Sequence, residues 1–427
     1  MVEIIKYPKK EQWKDLCKRP VKENSSLQQI VTEIVQKVKA EGDEALRFYS
    51  QKFDATPLSE FAVSQEEINS SEEKIKPQLK QAIEQAKRNI TLFHQSQLVE
   101  LKKIQTSPEV VCWQKQVPIQ KVGLYVPGGS APLFSTVLML AIPAQIAECQ
   151  EVVLCTPPNK DGDVHPAILY AAKTAGVHKI FKIGGAQAIA AMAFGTESVP
   201  QVSKIFGPGN QFVTAAKQLV SLQDTAIDMP AGPSEVEILA DVSAKPSFVA
   251  ADMLSQAEHG LDSQSVLVTT NEDLIANVLE ELEKQTDRLP RKEQILSSLK
   301  NSKIILVRDL EEAVDFTNEY APEHLIISTL NNEMLADCII NAGSVFLGNF
   351  TPESAGDYAS GTNHTLPTNG FAKMYSGVNI DSFMRKITFQ KITQNGLRNI
   401  GNAIEIMAEE EGLLAHKNAV SVRLDFE

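Results

Sequence analysis

Apolar positions recur every three to four residues over the first hundred residues, then gather into short β-branched runs after about residue 120. The first pattern predicts helices. "SSLQQIVTEIVQKVKAEGDEALRFYSQKF" opens on a serine N-cap signal and keeps helical spacing through Ile30, Ile34, Val38 and Leu46. "KPQLKQAIEQAKRNITLFHQSQ" predicts a second amphipathic helix. Beyond residue 120 the runs "VGLYV", "EVVLCTP", "HKIFKIGG", "SKIFGPGN" and "TAIDM" alternate with Ala-rich helical stretches. Five strands with four helices between them predict a parallel, doubly wound sheet. After Pro230 a second series follows: "EVEILAD", "QSVLVTT", "KIILV", "HLIIS" and "GSVFLG". From about residue 380 the pattern returns to helix.

The expected fold is therefore α/β, with two Rossmann-like doubly wound domains, a helical N-terminal region and a helical C-terminal tail. The boundaries read as an arm over 1–25, a helical part over 26–120 packing with the second α/β domain, α/β domains over 121–233 and 234–378, and a tail over 379–427. The similar texture of the two α/β halves leaves open whether they are related modules.

Composition narrows the function. The chain has 427 residues, 43% hydrophobic and 22% charged, with a net charge of −13. That balance argues against a nucleic-acid footprint, which needs clustered Lys and Arg, and against an anionic membrane surface. The N-terminus lacks an apolar signal region, and the longest apolar stretch, "VLMLAIPAQIA", is too short for a bilayer and holds Pro143. Five cysteines without a CxxC pair fit reduced thiols. The expectation is a cytoplasmic protein.

Three Gly-rich turns follow predicted strands: "YVPGGSAP", "IGGAQA" and "FGPGNQF". Ligands of open parallel sheets bind beyond the carboxyl ends of the strands, where helix N-termini face an anion. The dinucleotide signal is incomplete, because Phe212 stands at the third fingerprint position and no acid marks the ribose-reading distance. Tyr125, Gln187 and Asn210 occupy similar places in the three loops.

Seven histidines can be weighed one by one. His94, His165 and His178 read as surface or capping residues. His259, His324, His364 and His416 stand in denser company. In "ADMLSQAEHG", Asp252, Gln256 and His259 share one helix face, and Gly260 sits where a left-handed C-cap belongs. Gln256 and His259 could bind one ion from one helix, with Asp357 adding a carboxylate, in a zinc site that keeps a position open. In "APEHLII", Glu323 and His324 precede an apolar strand and can serve one site only from the loop before it. The residues alone reach a metal-assisted enzyme with a candidate nucleotide domain. A zinc hydrolase and a non-catalytic binding protein are the rival readings; the first leaves the Gly-rich domain without a purpose.

Taken together, "GLYVPGG", "GPGNQFVTAAK", "DMPAGPSEV" running on to "ADMLSQAEH", "APEHL", "GNFTPESAGDYASGTNHTLPT" and "EGLLAHKNA" resemble the histidinol dehydrogenase family over roughly residues 120–420. The resemblance implies a four-electron oxidation of L-histidinol to L-histidine through histidinal, with two NAD reduced in turn. It implies zinc on Gln256, His259, Asp357 and His416, with His416 donated by the tail of a second subunit of a homodimer. It implies substrate contacts at Ser234, His324, His364 and Glu411 as well as at the zinc ligands, and NAD contacts at Tyr125, Gln187 and Asn210. His324 would be the general base and Glu323 would activate water for the aldehyde step. Cys112 and Cys149 could suggest a thiohemiacetal route, but neither has a nucleophile-like context.

Overall fold

The computed structural model describes residues 2–20, 25–54, 58–128, 131–223, 225–230 and 232–426. The second glycine of "GLYVPGG" and the serine cap expected ahead of the first long helix lie outside the described side chains. In chain order the strands are β1 (Glu3–Lys6), β2 (Ile104–Ser107), β3 (Val110–Pro118), β4 (Lys121–Tyr125), β5 (Glu151–Thr156), β6 (Lys179–Lys182), β7 (Lys204–Phe206) and β8 (Ala226–Ile227). They continue as β9 (Glu235–Ala240), β10 (Gln264–Thr269), β11 (Lys303–Leu306), β12 (His324–Ser328), β13 (Ser344–Leu347) and β14 (Met384–Ile392).

The five runs after residue 120 form one parallel sheet in the order β6-β5-β4-β7-β8. The five runs after Pro230 form a second in the order β11-β10-β9-β12-β13. Each order starts from a central first strand and grows outward in both directions, which requires crossover helices on both faces. Helices Phe134–Ile146 and Pro166–Thr174 cover one face of the first sheet, and Gly185–Phe194 with Gln211–Ser221 the other. Pro246–Ala257 and Leu310–Tyr320 lie on opposite faces of the second. Both sheets are thus buried on two sides, and runs such as Val236–Ala240 and Val266–Thr269 carry no alternation because both faces are interior.

The N-terminal arm carries structure of its own: β1 adds a parallel edge strand beside β11, and helix Lys10–Leu16 sets Trp13 edge-on against Phe316 at 5.5 Å. Two expectations need correction. The helical part packs chiefly with the first α/β domain and meets the second where helix Pro77–Gln95 touches the loop at Ala359, Gly361 and Asn363. Helices Ser25–Glu41 and Pro77–Gln95 bury their apolar faces against the helices of the first sheet, because Val31, Ile34, Val35 and Val38 on one and Ile83, Ala86 and Ile90 on the other complete its two cores. Nor are 26–120 and the tail wholly helical. β2, β3 and β14 form a separate antiparallel sheet in which Trp113 stacks on Phe389 at 5.4 Å. Ile387, Phe389 and the polar residues between them alternate with period two, the strand signature, inside a segment whose ends are helical.

The tail then closes as a hairpin of helices Gln394–Glu410 and Leu414–Leu424, which pack on each other and on this small sheet. No helix among the described residues is long and apolar enough to cross a membrane.

Candidate active site

Glu323 and His324 mark the amino end of β12, beside Ser234 and Glu235 at the amino end of β9. Glu323 sits in the turn before the strand as expected, but His324 is already the first residue of β12, so the expectation that both lie in the loop holds for Glu323 alone. Glu323 accepts from the Ser234 hydroxyl at 2.6 Å and the Glu235 N–H at 2.9 Å. Burial pushes its carboxyl up to about 7, against the pull of His324 and of those two donors.

Helix Pro246–Ala257 runs back from the far end of the sheet, so its C-terminus arrives at the same edge. Asp252 lies half-buried on this helix, and burial raises its carboxyl to about 7. The end differs from expectation: Glu258 is a right-handed C-cap, and Gly260 has no positive φ. Gln256 is fully buried, and neither its amide oxygen nor its nitrogen has a hydrogen-bond partner. His259 follows one turn later, exposed at the rim, and the crowding on its inner side lowers its pKa.

Helix Glu353–Tyr358 supplies the facing wall. Glu353 and Asp357 stand four residues apart on one face and, with His259, offer donor atoms within 4.8 Å of one another. Glu353 is fully buried with neither carboxylate oxygen hydrogen-bonded, and burial raises it to about 8. Burial also works to raise Asp357, but the His324 ring beside it holds it lower. His324 sits between them: its Nδ1 is 3.6 Å from Glu353 and 3.7 Å from Glu323, and its Nε2 is 3.6 Å from Asp357. Burial alone would lower this imidazole; the three carboxylates prevail and raise it to about 10.

His364 lies 3.0 Å from the Asp357 carbonyl through Nδ1 and 3.1 Å from the Thr136 hydroxyl through Nε2. A carbonyl can only accept, so Nδ1 carries the proton and Nε2 accepts from Thr136. Burial lowers the pKa of this ring, which suits the neutral form. Thr136 begins the helix that follows β4, so the contact joins the amino edge of one sheet to the carboxyl edge of the other.

At that carboxyl edge the three Gly-rich loops converge. The Tyr125 hydroxyl accepts the Gly185 N–H at 3.0 Å. Gln187 is buried one turn into the helix that follows, and Asn210 caps helix Gln211–Ser221 by accepting from the N–H groups of Phe212 and Val213. Gly207 holds φ at +126°, and a Cβ there would meet the Tyr125 carbonyl at 2.1 Å. A buried pair that sequence reasoning did not pick out clamps it: Asp228 accepts the Gly207 N–H, and Lys217 donates to the Gly207 carbonyl and pairs with Asp228 at 2.5 Å.

The structure thus gathers Ser234, Gln256, His259, Glu323, His324, Asp357 and His364, and sets Tyr125, Gln187 and Asn210 along the facing edge. It does not bring in Glu411 and His416, which are exposed on the tail hairpin. Of the remaining histidines, His165 caps a helix and His178 is exposed, while His94 is a buried residue bonded to the Ile90 carbonyl instead of a surface one. Burial pushes the Cys149 thiol up to about 12, which removes it as a nucleophile.

The histidinol dehydrogenase family model matches residues 17–424. The chain belongs to the histidinol dehydrogenase family. A histidinol dehydrogenase of Bacteroides thetaiotaomicron is 64% identical over 425 residues, covering 100% of this chain and 99% of the relative. One from Escherichia coli is 51% identical, covering 97% and 95%. The crystal structure of histidinol dehydrogenase from Elizabethkingia anophelis superposes with a TM-score of 0.97 at 53% identity, over 99% of this chain and 98% of that one. The chain is accordingly an oxidoreductase that catalyses the last step of histidine biosynthesis. Glu353, the most buried acid of the cluster, is the residue that sequence reasoning missed; its four-residue spacing to Asp357 in "PESAGDY" was the signal.

Proposed function

We propose that the chain oxidises L-histidinol to L-histidine through L-histidinal in a zinc-dependent, NAD-linked, four-electron reaction, as a cytoplasmic homodimer with shared active sites. The observation that carries this reading is the stranded amide of Gln256. A buried amide without partners costs several kcal/mol, roughly 2–7 by transfer measures. That cost is recovered if the oxygen ligates an ion that His259 and Asp357 also reach. The donors are nitrogen and oxygen, the set a borderline divalent ion accepts, and Glu353 adds a fourth group in reach. Zinc, when bound, supplies a Lewis-acidic anchor for the imidazole and amino nitrogens of histidinol. Tyr125, Gln187 and Asn210 would hold NAD, which when bound would supply the hydride acceptor for each oxidation.

The rest is the work of the chain. Once a cation balances Asp357 and Glu353, only Glu323 still favours the His324 imidazolium, and the ring is free to take the hydroxyl proton as the carbinol becomes an aldehyde. Histidinal must then gain water, because only the gem-diol carries a second hydride to lose. Glu323, aimed by Ser234 and the Glu235 N–H, takes the proton from that water. Loss of the hydride and a hydroxyl proton from the gem-diol leaves the carboxylic acid. Ser234 and His364 line the same hollow and hold the substrate in register.

Glu411 and His416 complete the site from a second copy, which explains why both are exposed in a single chain. Two measurements test the reading. The purified enzyme should form two NADH per histidinol without releasing histidinal; one NADH with a hydrazine-trapped aldehyde would refute it. Mixing inactive His416→Ala and Asp357→Ala variants under subunit exchange should return about a quarter of wild-type activity, since half the dimers are mixed and half their sites whole. No recovery would place the tail on its own subunit.

A further inference from the structure

Arg19 reaches the active site from the far N-terminus, just before residues 21–24, and is nearly fully buried there. Its Nε and Nη2 grip the Glu235 carboxylate at 2.9 and 2.6 Å. The same guanidinium donates to the carbonyls of Tyr320 at 2.7 Å and Ala321 at 3.3 Å, and its carbon lies over the Tyr320 ring, 3.6 Å from the centroid. The two partners belong to different turns. Glu235 opens β9 next to Ser234. Tyr320 and Ala321 end helix Leu310–Tyr320, where Ala321 adopts a left-handed φ of 53° and the chain turns into Pro322, Glu323 and His324.

Both hydrogen bonds that the Glu323 carboxylate accepts come from across that gap, from the Ser234 hydroxyl and the Glu235 N–H. The distance between the two turns therefore sets where the Glu323 carboxylate points. The second oxygen of Glu235 also accepts the Asn369 N–H at 3.2 Å, which ties in the loop after His364. A planar fork with five donors fits this set of acceptors; an ammonium does not.

We propose that Arg19 is a positioning residue for the water-activating step: paired with Glu235, it locks the turn carrying Ser234 to the turn carrying Glu323 and His324. The inference rests on the roles given above to Glu323 and His324. It makes the N-terminal arm part of the catalytic apparatus without touching substrate.

Arg19→Lys keeps the charge and loses the fork. It should lower kcat for histidinal oxidation about 10–100-fold, the usual cost of losing a group that orients a reacting residue. The KM values for histidinal and NAD should stay as in the wild type, because Arg19 meets neither ligand. A double variant, Arg19→Met with Glu235→Gln, removes both charges and guards against misfolding, since neutral replacement of a buried pair is commonly tolerated. It should show the same split. Wild-type kcat in either folded variant, or a loss that only follows the unfolded fraction in a thermal melt, overturns the proposal. Glu323→Gln assayed alongside separates the two claims. If it leaves histidinal oxidation intact while Arg19→Lys slows it, the brace stands and the role of Glu323 falls. If Glu323→Gln slows it and Arg19→Lys does not, the brace falls.

Discussion

The two parallel sheets share one strand order, counted 3-2-1-4-5 from the first strand of each series, yet their candidate site residues gather at opposite ends. In the first, Tyr125, Gln187 and Asn210 gather at the carboxyl edge, where helices Gly185–Phe194 and Gln211–Ser221 begin. The second uses its amino edge, where helix Pro246–Ala257 ends on Gln256 and the acids collect. A helix start carries partial positive charge and a helix end partial negative charge. One edge therefore suits a phosphate and the other a cation, from the same topology. His364 on Thr136 joins the two. Under the proposed function, ligands follow the carboxyl-end rule in one half of this molecule and depart from it in the other.

Removing the cation should break the comparison most severely. If the amino edge exists to hold a divalent ion, a chelator should abolish NADH formation and added zinc restore it, while NAD still binds the treated protein in a fluorescence titration. Full turnover in metal-free protein would leave the acidic edge without its reason.

Next in size is the division of labour inside the amino edge. Glu323→Gln should slow histidinal oxidation by about 10²–10⁴-fold and the first hydride transfer far less, whereas His324→Ala should slow both. Stopped-flow traces with histidinol and with histidinal separate the steps. Equal losses for Glu323→Gln would return the carboxylate to a structural role.

The carboxyl edge is tested by Gly207→Ala. The new methyl cannot coexist with the Tyr125 carbonyl 2.1 Å away, so the loop must move. KM for NAD should rise by about tenfold, equivalent to some 1.4 kcal/mol, with zinc content unchanged. A change in metal content instead would mean that the edges are not separable.

Periodicity made one half of this molecule easier to read than the other. Ten of the eleven strands in the two parallel sheets announce themselves as apolar runs, most of them β-branched, because strands buried on both faces need no polar positions; β1, a short exposed edge strand, does not. β14 is read as helix because its two faces are largely exposed and it is flanked by helices; only the alternation of Ile387 and Phe389 betrays it. At the site, Gln256, His259, Glu323, His324 and Asp357 are legible because polar residues interrupt apolar elements. Arg19 and Glu235 are not, since their meaning lies in a pairing across 216 positions that no local spacing encodes. Glu353 is hidden differently: an acid in a polar loop looks solvated until the fold buries it.

The smallest expected effect concerns a buried acid that the first sheet has no counterpart for. Glu237 lies in the middle of β9, fully buried, with one oxygen bonded to the Thr317 hydroxyl and the other unpartnered. Burial raises its carboxyl from the usual 4.5 to about 8, against the pull of Thr317 and Arg19. The native chain therefore holds this proton more tightly than the unfolded chain. Between pH 4.5 and 8 the unfolded state binds fewer protons, so stability falls as pH rises through that window. At pH 7 the gap amounts to about 3 kcal/mol at most. Glu237→Gln removes the titration while keeping shape and the bond to Thr317. Its melting temperature should exceed that of the wild type by a few degrees at pH 8, and the advantage should shrink towards zero near pH 5. Activity should stay close to wild type, because Glu237 faces helix Leu310–Tyr320 and not the catalytic hollow. A pH-independent difference in melting temperature would mean that the carboxyl is ionised in the native protein, with Arg19 serving it as well as Glu235.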